Sequence, residues 1–268
     1  MLAVDRRLRI LEQVAEDQSI HVGELAARFG VSEMTVRRDI RRLERDGFLR
    51  QTYGGATAHV TRSFDLTFNA RALHSAREKR LIAIAAGALV GDATTIYLGV
   101  GTTVEQFARY VPLRPDQTIV TASVVVASLL GTRPVRTVVL GGTVRREELT
   151  CVGPVALATL GRYRFDLAVV GVAGVSAHWG FTELADEDAE INRVAIERSA
   201  RTVVLAHGTK FGHVAAAVVG PVSMATTIVT DAAASPAEMR EIQALGVEVV
   251  ITEATAPKEE AVAAAGGT

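Results

Sequence analysis

The stretch "SEMTVRRDIRRLERDG", residues 32–47, decides the fold of the N-terminal region. It places five arginines in sixteen residues of a chain whose formal net charge is −1. Val36, Ile40 and Leu43 recur at i, i+4 and i+7, so they share one face of a helix. Ser32, just before them, is a typical N-cap residue. The stretch is therefore predicted to be an amphipathic helix whose arginines lie on the face turned away from the core.

Two shorter helices are predicted before this one, and a β-hairpin after it. Apolar stripes at helical spacing mark the helices: Leu8, Leu11, Val14 and Ala15 in the first, and Leu25, Ala26 and Phe29 in the second. Gly30 supplies the turn into the arginine-rich helix, which is predicted to end at Asp46 and Gly47. "FLRQTYGGAT" then indicates a hairpin around Gly54 and Gly55. Together these elements describe a winged helix-turn-helix, whose third helix enters a DNA major groove.

The arginines allow two interpretations. A basic helix is most often a solvated, ion-paired surface, and here Asp39 could pair with Arg42 along the helix. In a winged helix-turn-helix, by contrast, arginine side chains suit phosphates and guanine edges. The surrounding elements favour DNA. Because Asp39 should avoid phosphate, we expect it to orient an arginine through a pair within the helix.

From residue 75 the pattern changes to short apolar segments separated by helical ones. "EKRLIAIAAGALV" is predicted to be a helix, and seven segments are predicted to be buried strands: "TTIYLGVG", "TIVTAS", "TVVLGG", "DLAVVGVAG", "RTVVLA", "TTIVTD" and "VEVVIT". This alternation predicts an α/β fold with a mainly parallel sheet and helices on both faces. The predicted organisation is a winged helix-turn-helix at 1–57, a linker at 58–74, an α/β effector-sensing and oligomerisation domain at 75–256 and a flexible tail at 257–268.

Composition excludes several classes of protein. Hydrophobic residues make up 49% and charged residues 22%, which is ordinary for a folded globular chain. Cys151 is the only cysteine, so no intrachain disulfide or Cys-based zinc cluster can form. We find no signal peptide and no apolar run of about 18 residues, and therefore expect a cytoplasmic protein without a membrane span. No metal and no cofactor are expected.

The segment "YLGVGTTVEQFARY", residues 97–110, indicates a ligand site. A strand followed by Gly101, Thr102 and Thr103 and then a helix places backbone N–H groups and hydroxyls where an anion could bind. The alternative is that one threonine simply caps the helix. Other strand ends should reach the same sheet edge, where open parallel sheets bind ligands; they carry Thr121, Ser123, Arg145 and Lys210.

The order of these motifs resembles that of the DeoR family of bacterial transcriptional repressors. The pattern runs from Arg6 through Ile10 and Val14 to "SEMTVRRDI", is extended by "GFLRQTYGGA", and continues through "LGVGTTVEQFA", "VLGGTVR", "CVGP", "EDAEINR" and "TKFG". The resemblance covers nearly the whole chain. It implies a sequence-specific DNA-binding regulator of carbohydrate or related genes, with a sensor domain similar in fold to ribose-5-phosphate isomerase. It also implies release from a double-stranded operator by a small phosphorylated sugar or related metabolite.

The resemblance also implies residue roles. At the start of the recognition helix, bases and phosphates are expected to meet Ser32, Thr35, Arg37 and Arg38. The DNA backbone is expected to meet Arg41, Arg42 and Arg45. On the wing, Thr52 and Tyr53 could reach DNA, although Tyr53 could equally pack on the hairpin. In the sensor, Arg145 and Lys210 are candidate phosphate partners; the alternative is that they are surface or salt-bridged cations. Three acids either touch effector hydroxyls or solvate a helix: Glu183, Glu187 and Glu190.

Several positions depart from the family pattern. Gly99 stands where an Asp is usual, Ala122 where an Asn is usual, and Ala173 where an acid is usual, while His207 replaces a common Asp. Loss of these polar groups should make the pocket less polar. We therefore expect a less hydroxylated effector than the usual sugar phosphates, or a pocket that no longer binds one.

Two other functions stay open at this point. The chain could be an isomerase- or deaminase-like enzyme with His178 or His207 as base, but Ala173 lacks the acid that such catalysis needs, so we expect no enzyme. It could also bind DNA constitutively, with a degenerate sensor used for assembly. Because one helix-turn-helix covers little DNA, a homo-oligomer, dimer or tetramer, is expected on paired half-sites.

Overall fold

The computed structural model describes residues 6–7, 9–11, 13–14, 19–45, 49–58, 71–72 and 74–252. The predicted helix end at Asp46 and Gly47, most of the predicted linker at 58–74 and the predicted tail at 257–268 lie outside the described residues, as do Leu8 and Ala15. Within the described part, no helix is long and apolar enough to cross a bilayer.

The N-terminal unit is the predicted winged helix-turn-helix. The described residues between 6 and 14 are helical (α1), and α2 (Val22–Phe29) and α3 (Glu33–Arg45) follow. Three antiparallel strands, β1 (Ser19–His21), β2 (Leu49–Thr52) and β3 (Gly55–Ala58), are ordered β1-β3-β2. The hairpin β2-β3 was predicted and β1 was not. One apolar cluster joins the helices to the wing, with Ile10, Leu25, Val36, Ile40 and Leu49 at its centre.

The turn between α2 and α3 follows from two residues. Gly30 adopts a left-handed conformation with φ of 64°, and its N–H closes the last turn of α2. The Ser32 Oγ accepts a hydrogen bond from the Thr35 backbone N–H at 3.3 Å, so Ser32 caps α3 as predicted.

The second unit contains a seven-stranded, all-parallel sheet in the order β15-β14-β12-β9-β4-β5-β6. Its strands are β4 (Thr95–Leu98), β5 (Thr118–Thr121), β6 (Arg136–Val139), β9 (Phe165–Gly171), β12 (Ser199–Leu205), β14 (Thr227–Asp231) and β15 (Glu248–Thr252). Each of the seven predicted segments overlaps one of them, so the α/β prediction is confirmed.

Within residues 74–252, six helices flank this sheet: α4 (Ala76–Gly87), α5 (Thr102–Tyr110), α6 (Val124–Leu130), α7 (Pro154–Leu160), α8 (Asp186–Glu197) and α9 (Pro236–Ala244). Two separate apolar clusters form the core. Along β4, Tyr97 belongs to one cluster, while Ile96 and Leu98 belong to the other. Since successive strand side chains point to opposite faces, the sheet is covered on both sides.

Short antiparallel strands were not predicted. The strands β7 (Thr143–Arg145) and β8 (Thr150–Val152) form a hairpin. A second small sheet has the order β10-β11-β13, from β10 (Gly174–Ser176), β11 (Gly180–Glu183) and β13 (Ala217–Gly220). A 3-10 turn, Gly208–Lys210, follows β12.

Strand order reverses direction beside β4. The chain moves from β4 outward through β5 to β6, then returns to place β9 on the other side of β4. The carboxyl ends of β4 and β9 therefore diverge into different loops, and such a switch point is where open α/β sheets bind ligands.

Candidate nucleic-acid interface and ligand cavity

The outer face of α3 is basic. Arg38, Arg41, Arg42 and Arg45 are exposed, whereas Val36, Ile40 and Leu43 are buried. The basic face is thus held outward by a helix whose other side is locked into the core.

The N-terminal residues of α3 are already engaged with one another. Ser32 Oγ lies 3.0 Å from Thr35 Oγ1, and Arg37 pairs with Glu33 at 3.2 Å. Thr35 and Arg37 are half-buried. A base contact from these residues would require exchange of the present bonds, whereas Arg38 is exposed one position further along.

Asp39 does not make the predicted pair within the helix. Its Oδ2 accepts a hydrogen bond from the Nε of Arg6 on α1 at 2.6 Å, and both residues are only 5% exposed. The prediction that Asp39 orients an arginine of its own helix is wrong, because the arginine that it pairs with, Arg6, lies on α1. The side chain points into the core, so the ion pair joins α1 to α3.

The wing presents Tyr53 to solvent. Tyr53 is fully exposed in the turn between β2 and β3, so it does not pack on the hairpin, and Thr52 beside it is also exposed. Glu44 Oε1 accepts a hydrogen bond from the Gln51 backbone N–H at 2.8 Å, which fixes the wing to the end of α3. The basic face of α3 and the wing tip therefore form one presented surface.

A cavity of about 720 Å³, its open mouth included, lies at the switch point of the parallel sheet. Its walls come from the loops after β4, β9 and β12, from α4 and from β11: they include Val100–Thr103, Gly171–Ala173, Leu205, His207, Thr209, Lys210, Lys79 and Glu183. The size suits a small metabolite.

Four of the seven predicted effector residues line this cavity: Gly101, Thr102, Thr103 and Lys210. The helix α5 begins at Thr102, and its N-cap is Gly101, with φ of 113° and no capping side chain. Neither Thr102 nor Thr103 therefore caps the helix with its side chain. The backbone N–H groups at the start of α5 lie beside the cavity.

The other three predicted residues have structural bonds elsewhere and are not among the cavity's lining residues. Thr121 Oγ1 accepts from the Ser123 backbone N–H at 3.0 Å, and Ser123 Oγ caps α6 by accepting from Val126 at 3.1 Å. Arg145 forms ion pairs with Asp188 and, at 3.3 Å, with Glu147. Arg145 thus matches the salt-bridged alternative.

Two of the cations that line the cavity, Arg71 and Lys79, do not follow a strand of the sheet, and the sequence analysis did not predict them. Arg71 pairs with Glu148, and Lys79, on α4, donates to the Arg71 carbonyl. Burial, reinforced by Lys210, lowers the pKa of Lys79 to about 7, and burial with the nearby Arg71 lowers the pKa of Lys210 to about 8. The crowding of like charges indicates a site that would bind an anion.

Two histidines also line the cavity beside these lysines. The His74 and His207 rings lie 6.5 Å apart, and burial lowers the pKa of each. His207 Nδ1 lies 2.9 Å from Thr209 Oγ1, and its Nε2 lies 3.4 Å from Asp231 Oδ2. His207 is therefore held on both ring nitrogens. The other candidate base, His178, stacks edge-on against Trp179 and is not among the lining residues.

Carboxyl groups line another part of the cavity. Glu183 and Asp188 are lining residues, whereas Glu187 and Glu190 are exposed on α8. Burial, together with the neighbouring Asp188 and Glu148, raises the pKa of Glu183 to about 8. The cavity is therefore lined by charged side chains, Ala173 lines it, and the buried Ala122 does not. The expectation that it is less polar than the usual pocket of the family stays a prediction.

Comparisons with known proteins agree with this geometry. The DeoR-like helix-turn-helix domain matches residues 6–62, and the DeoR C terminal sensor domain matches residues 74–232. The chain belongs to the DeoR family. It is a sequence-specific DNA-binding transcriptional regulator with a C-terminal sensor domain.

Individual relatives carry the same kind of name. The chain is 31% identical over 232 residues to the uncharacterized HTH-type transcriptional regulator YgbI of Escherichia coli (strain K12), covering 86% of this chain and 91% of that one. It is 29% identical over 257 residues to the HTH-type transcriptional repressor CsqR of the same organism, covering 96% of each. These names point to a regulator rather than an enzyme.

Among solved structures, ribose 5 phosphate isomerase A from Neisseria gonorrhoeae is similar with a TM-score of 0.36 at 16% identity, covering 49% of this chain and 52% of that one. At this TM-score the likeness carries no functional argument.

Proposed function

We propose that the chain is a repressor of carbohydrate or related metabolic genes that binds operator DNA as a homo-oligomer, dimer or tetramer, and is released by a small phosphorylated metabolite. The observation that carries the effector half is the convergence of Arg71, Lys79 and Lys210 with the start of α5 in one cavity. A phosphate group matches that set, because it takes both backbone N–H donors at a helix start and cationic side chains.

For DNA, we propose that Arg38 reads a base edge and that the phosphate backbone meets Arg41, Arg42 and Arg45. Ser32, Thr35 and Arg37 would then hold the helix start in register, with Tyr53 meeting the adjacent backbone or groove. Direct readout and backbone contact differ in their consequences: loss of a bidentate arginine–guanine contact costs about 1–3 kcal/mol at one base position, whereas loss of a phosphate contact weakens all sequences alike.

Gel-shift titration on the DNA upstream of the chain's own gene tests both halves. Arg38→Ala should weaken operator binding by roughly 5- to 150-fold and relax one base position, following the energy of one base contact. Arg162→Ala is the matched control, since it removes the same charge from an exposed loop between α7 and β9. Equal weakening on unrelated DNA would assign Arg38 to the backbone instead.

The effector half is tested by adding a panel of sugar phosphates to the same titration. Release of the operator by a member of the panel is expected, and Lys210→Met should raise the concentration needed by about tenfold or more, as for loss of one charge-assisted contact. Unchanged DNA binding with every phosphate would favour constitutive binding with an inactive sensor. No gel shift at all would defeat the regulatory proposal.

A further inference from the structure

The cavity has an acidic part as well as a cationic one. Glu183 at the end of β11 and Asp188 on α8 line it, together with Glu148 from the loop between β7 and β8. A phosphate group gains most from the cationic part of the cavity. That leaves these three carboxyl groups to another portion of the ligand.

Two of the three carboxyl groups already have a cation. Glu148 pairs with Arg71, and Asp188 pairs with Arg145. Glu183 belongs to none of the ion pairs found among the described residues. Among the described residues, Glu183 accepts one hydrogen bond: Asn192 Nδ2 donates to the Glu183 Oε1 at 3.0 Å.

Asn192 holds the Glu183 carboxyl in place. Asn192 is fully buried on α8, and its Nδ2 also donates to the Gly171 carbonyl at 3.2 Å. The bond to Oε1 fixes one carboxyl oxygen and leaves the other for a ligand. Nearby, the Oδ1 of Asp188 is buried in the cavity wall and accepts no hydrogen bond from a described residue.

Lys210 and Arg71 lie near enough to lower the pKa of the Glu183 carboxyl, but burial, Asp188 and Glu148 outweigh them. A further positive charge beside Glu183 would therefore be stabilised. A ligand hydroxyl offers a single donor and no charge, whereas a protonated amine offers three donors and a positive charge.

We propose that the effector carries a protonated amine as well as its phosphate, and that Glu183 is the binding residue for that amine. The inference rests on the proposed function, because it assumes that a phosphorylated metabolite occupies this cavity. Asn192 is the positioning residue, since it acts through the Glu183 carboxyl. The raised pKa of Glu183 is consistent: the carboxyl holds its proton until a cation approaches, so binding of the amine would release a proton.

The test is calorimetric titration of the full chain at pH 7 with matched ligand pairs. Each pair differs only in hydroxyl against amine: glucose 6-phosphate with glucosamine 6-phosphate, and 2-hydroxyethyl phosphate with 2-aminoethyl phosphate. We expect the amine member of at least one pair to bind about tenfold or more tightly than its hydroxyl partner, the scale of one charge-assisted contact. Titration in two buffers of different ionisation enthalpy should show that the amine releases a proton that the hydroxyl does not.

Glu183→Gln should abolish the preference for the amine member of the pair, because glutamine keeps the shape of the side chain but cannot carry its negative charge. Glu187→Gln is the matched control, because Glu187 is exposed four residues along the chain. Asn192→Ala should reduce the preference without abolishing binding of the hydroxyl member.

The outcomes separate this inference from the proposed function. If the hydroxyl member of each pair binds as tightly as the amine, or if Glu183→Gln keeps the preference, the amine site is refuted while phosphate sensing stands. If no phosphate in the set or in a wider sugar-phosphate panel binds, the proposed function fails and this inference fails with it. If glucosamine bound as tightly as glucosamine 6-phosphate, the phosphate would add nothing to binding. That result would also count against a site that binds a phosphate and an amine together.

Discussion

The ion pair between Arg6 and Asp39 should control whether the DNA-binding unit folds. Both side chains are buried, with Nε and Oδ2 2.6 Å apart, and they join α1 to α3. Asp39→Asn keeps the shape of the side chain but removes its charge, which leaves the Arg6 guanidinium buried without a counter-ion. Breaking a buried pair in this way costs about 3–5 kcal/mol.

A loss of this size is large for a unit this small. A destabilisation of 3 kcal/mol corresponds to roughly a 150-fold change in the opening equilibrium. By the usual scaling for a domain of 60–100 residues, it also lowers Tm by about 12–24 °C. Operator binding should fall as a consequence, although Asp39 points away from the basic face of α3.

Amide hydrogen exchange resolves the effect within the full chain. Peptides covering α2 and α3 should exchange about 150-fold faster in Asp39→Asn, by the same 3 kcal/mol, whereas peptides from the parallel sheet serve as the internal control. A double variant, Arg6→Met with Asp39→Leu, should recover most of the protection, because buried pairs replaced by apolar residues are often neutral.

Two results would refute this reasoning. Exchange of α3 at the wild-type rate in Asp39→Asn would mean that the pair contributes little. A double variant as exchange-prone as the single one would mean that the damage does not come from the uncompensated charge of Arg6.

Three further predictions follow from local geometry. Ser32→Ala removes the cap of α3 and should speed exchange of its first turn by about fivefold, the equivalent of about 1 kcal/mol. Gly55→Ala places a Cβ 1.9 Å from the Ile20 carbonyl oxygen, so it should separate β3 from β1 and abolish the gel shift while the sensor cavity still binds phosphate in calorimetry. Phosphate affinity measured by calorimetry should fall as pH rises from 7 to 9, because the pKa values of Lys79 and Lys210 lie at about 7 and 8 and the deprotonated amines no longer attract the dianion; constant affinity over that range would remove the lysines from the phosphate site.

The sheet could be predicted from the sequence because its central strands are covered on both faces. "DLAVVGVAG" and "TTIVTD" are apolar at almost every position, and such runs bounded by turn residues are typical of buried parallel strands. The N-terminal unit was predictable for a different reason: Ser32 and Gly30 mark the ends of its helices by local hydrogen bonds and a left-handed turn.

Contacts between distant parts of the chain could not be predicted in the same way. Helical spacing suggested Arg42 as the partner of Asp39, but the actual partner, Arg6, is 33 residues away and is brought close only by helix packing. Lys79 and Arg71 lie before the first strand of the parallel sheet, where no strand-end rule points to a ligand site. The three-residue strands β7 and β10 are too short to show a period.

Gly99 and Ala173 show why a motif's polarity does not determine that of the site. A Cβ at position 99 would lie 3.2 Å from the Val170 Cα and 3.5 Å from the Asn192 Oδ1, so a side chain here would require β9 to shift by a few tenths of an ångström. Polar groups also reach the cavity from β11 and α8, where Asn192 holds Glu183 at the cavity wall. The absence of an acid at one strand end therefore does not make the cavity free of acids, because side chains from other elements line it as well.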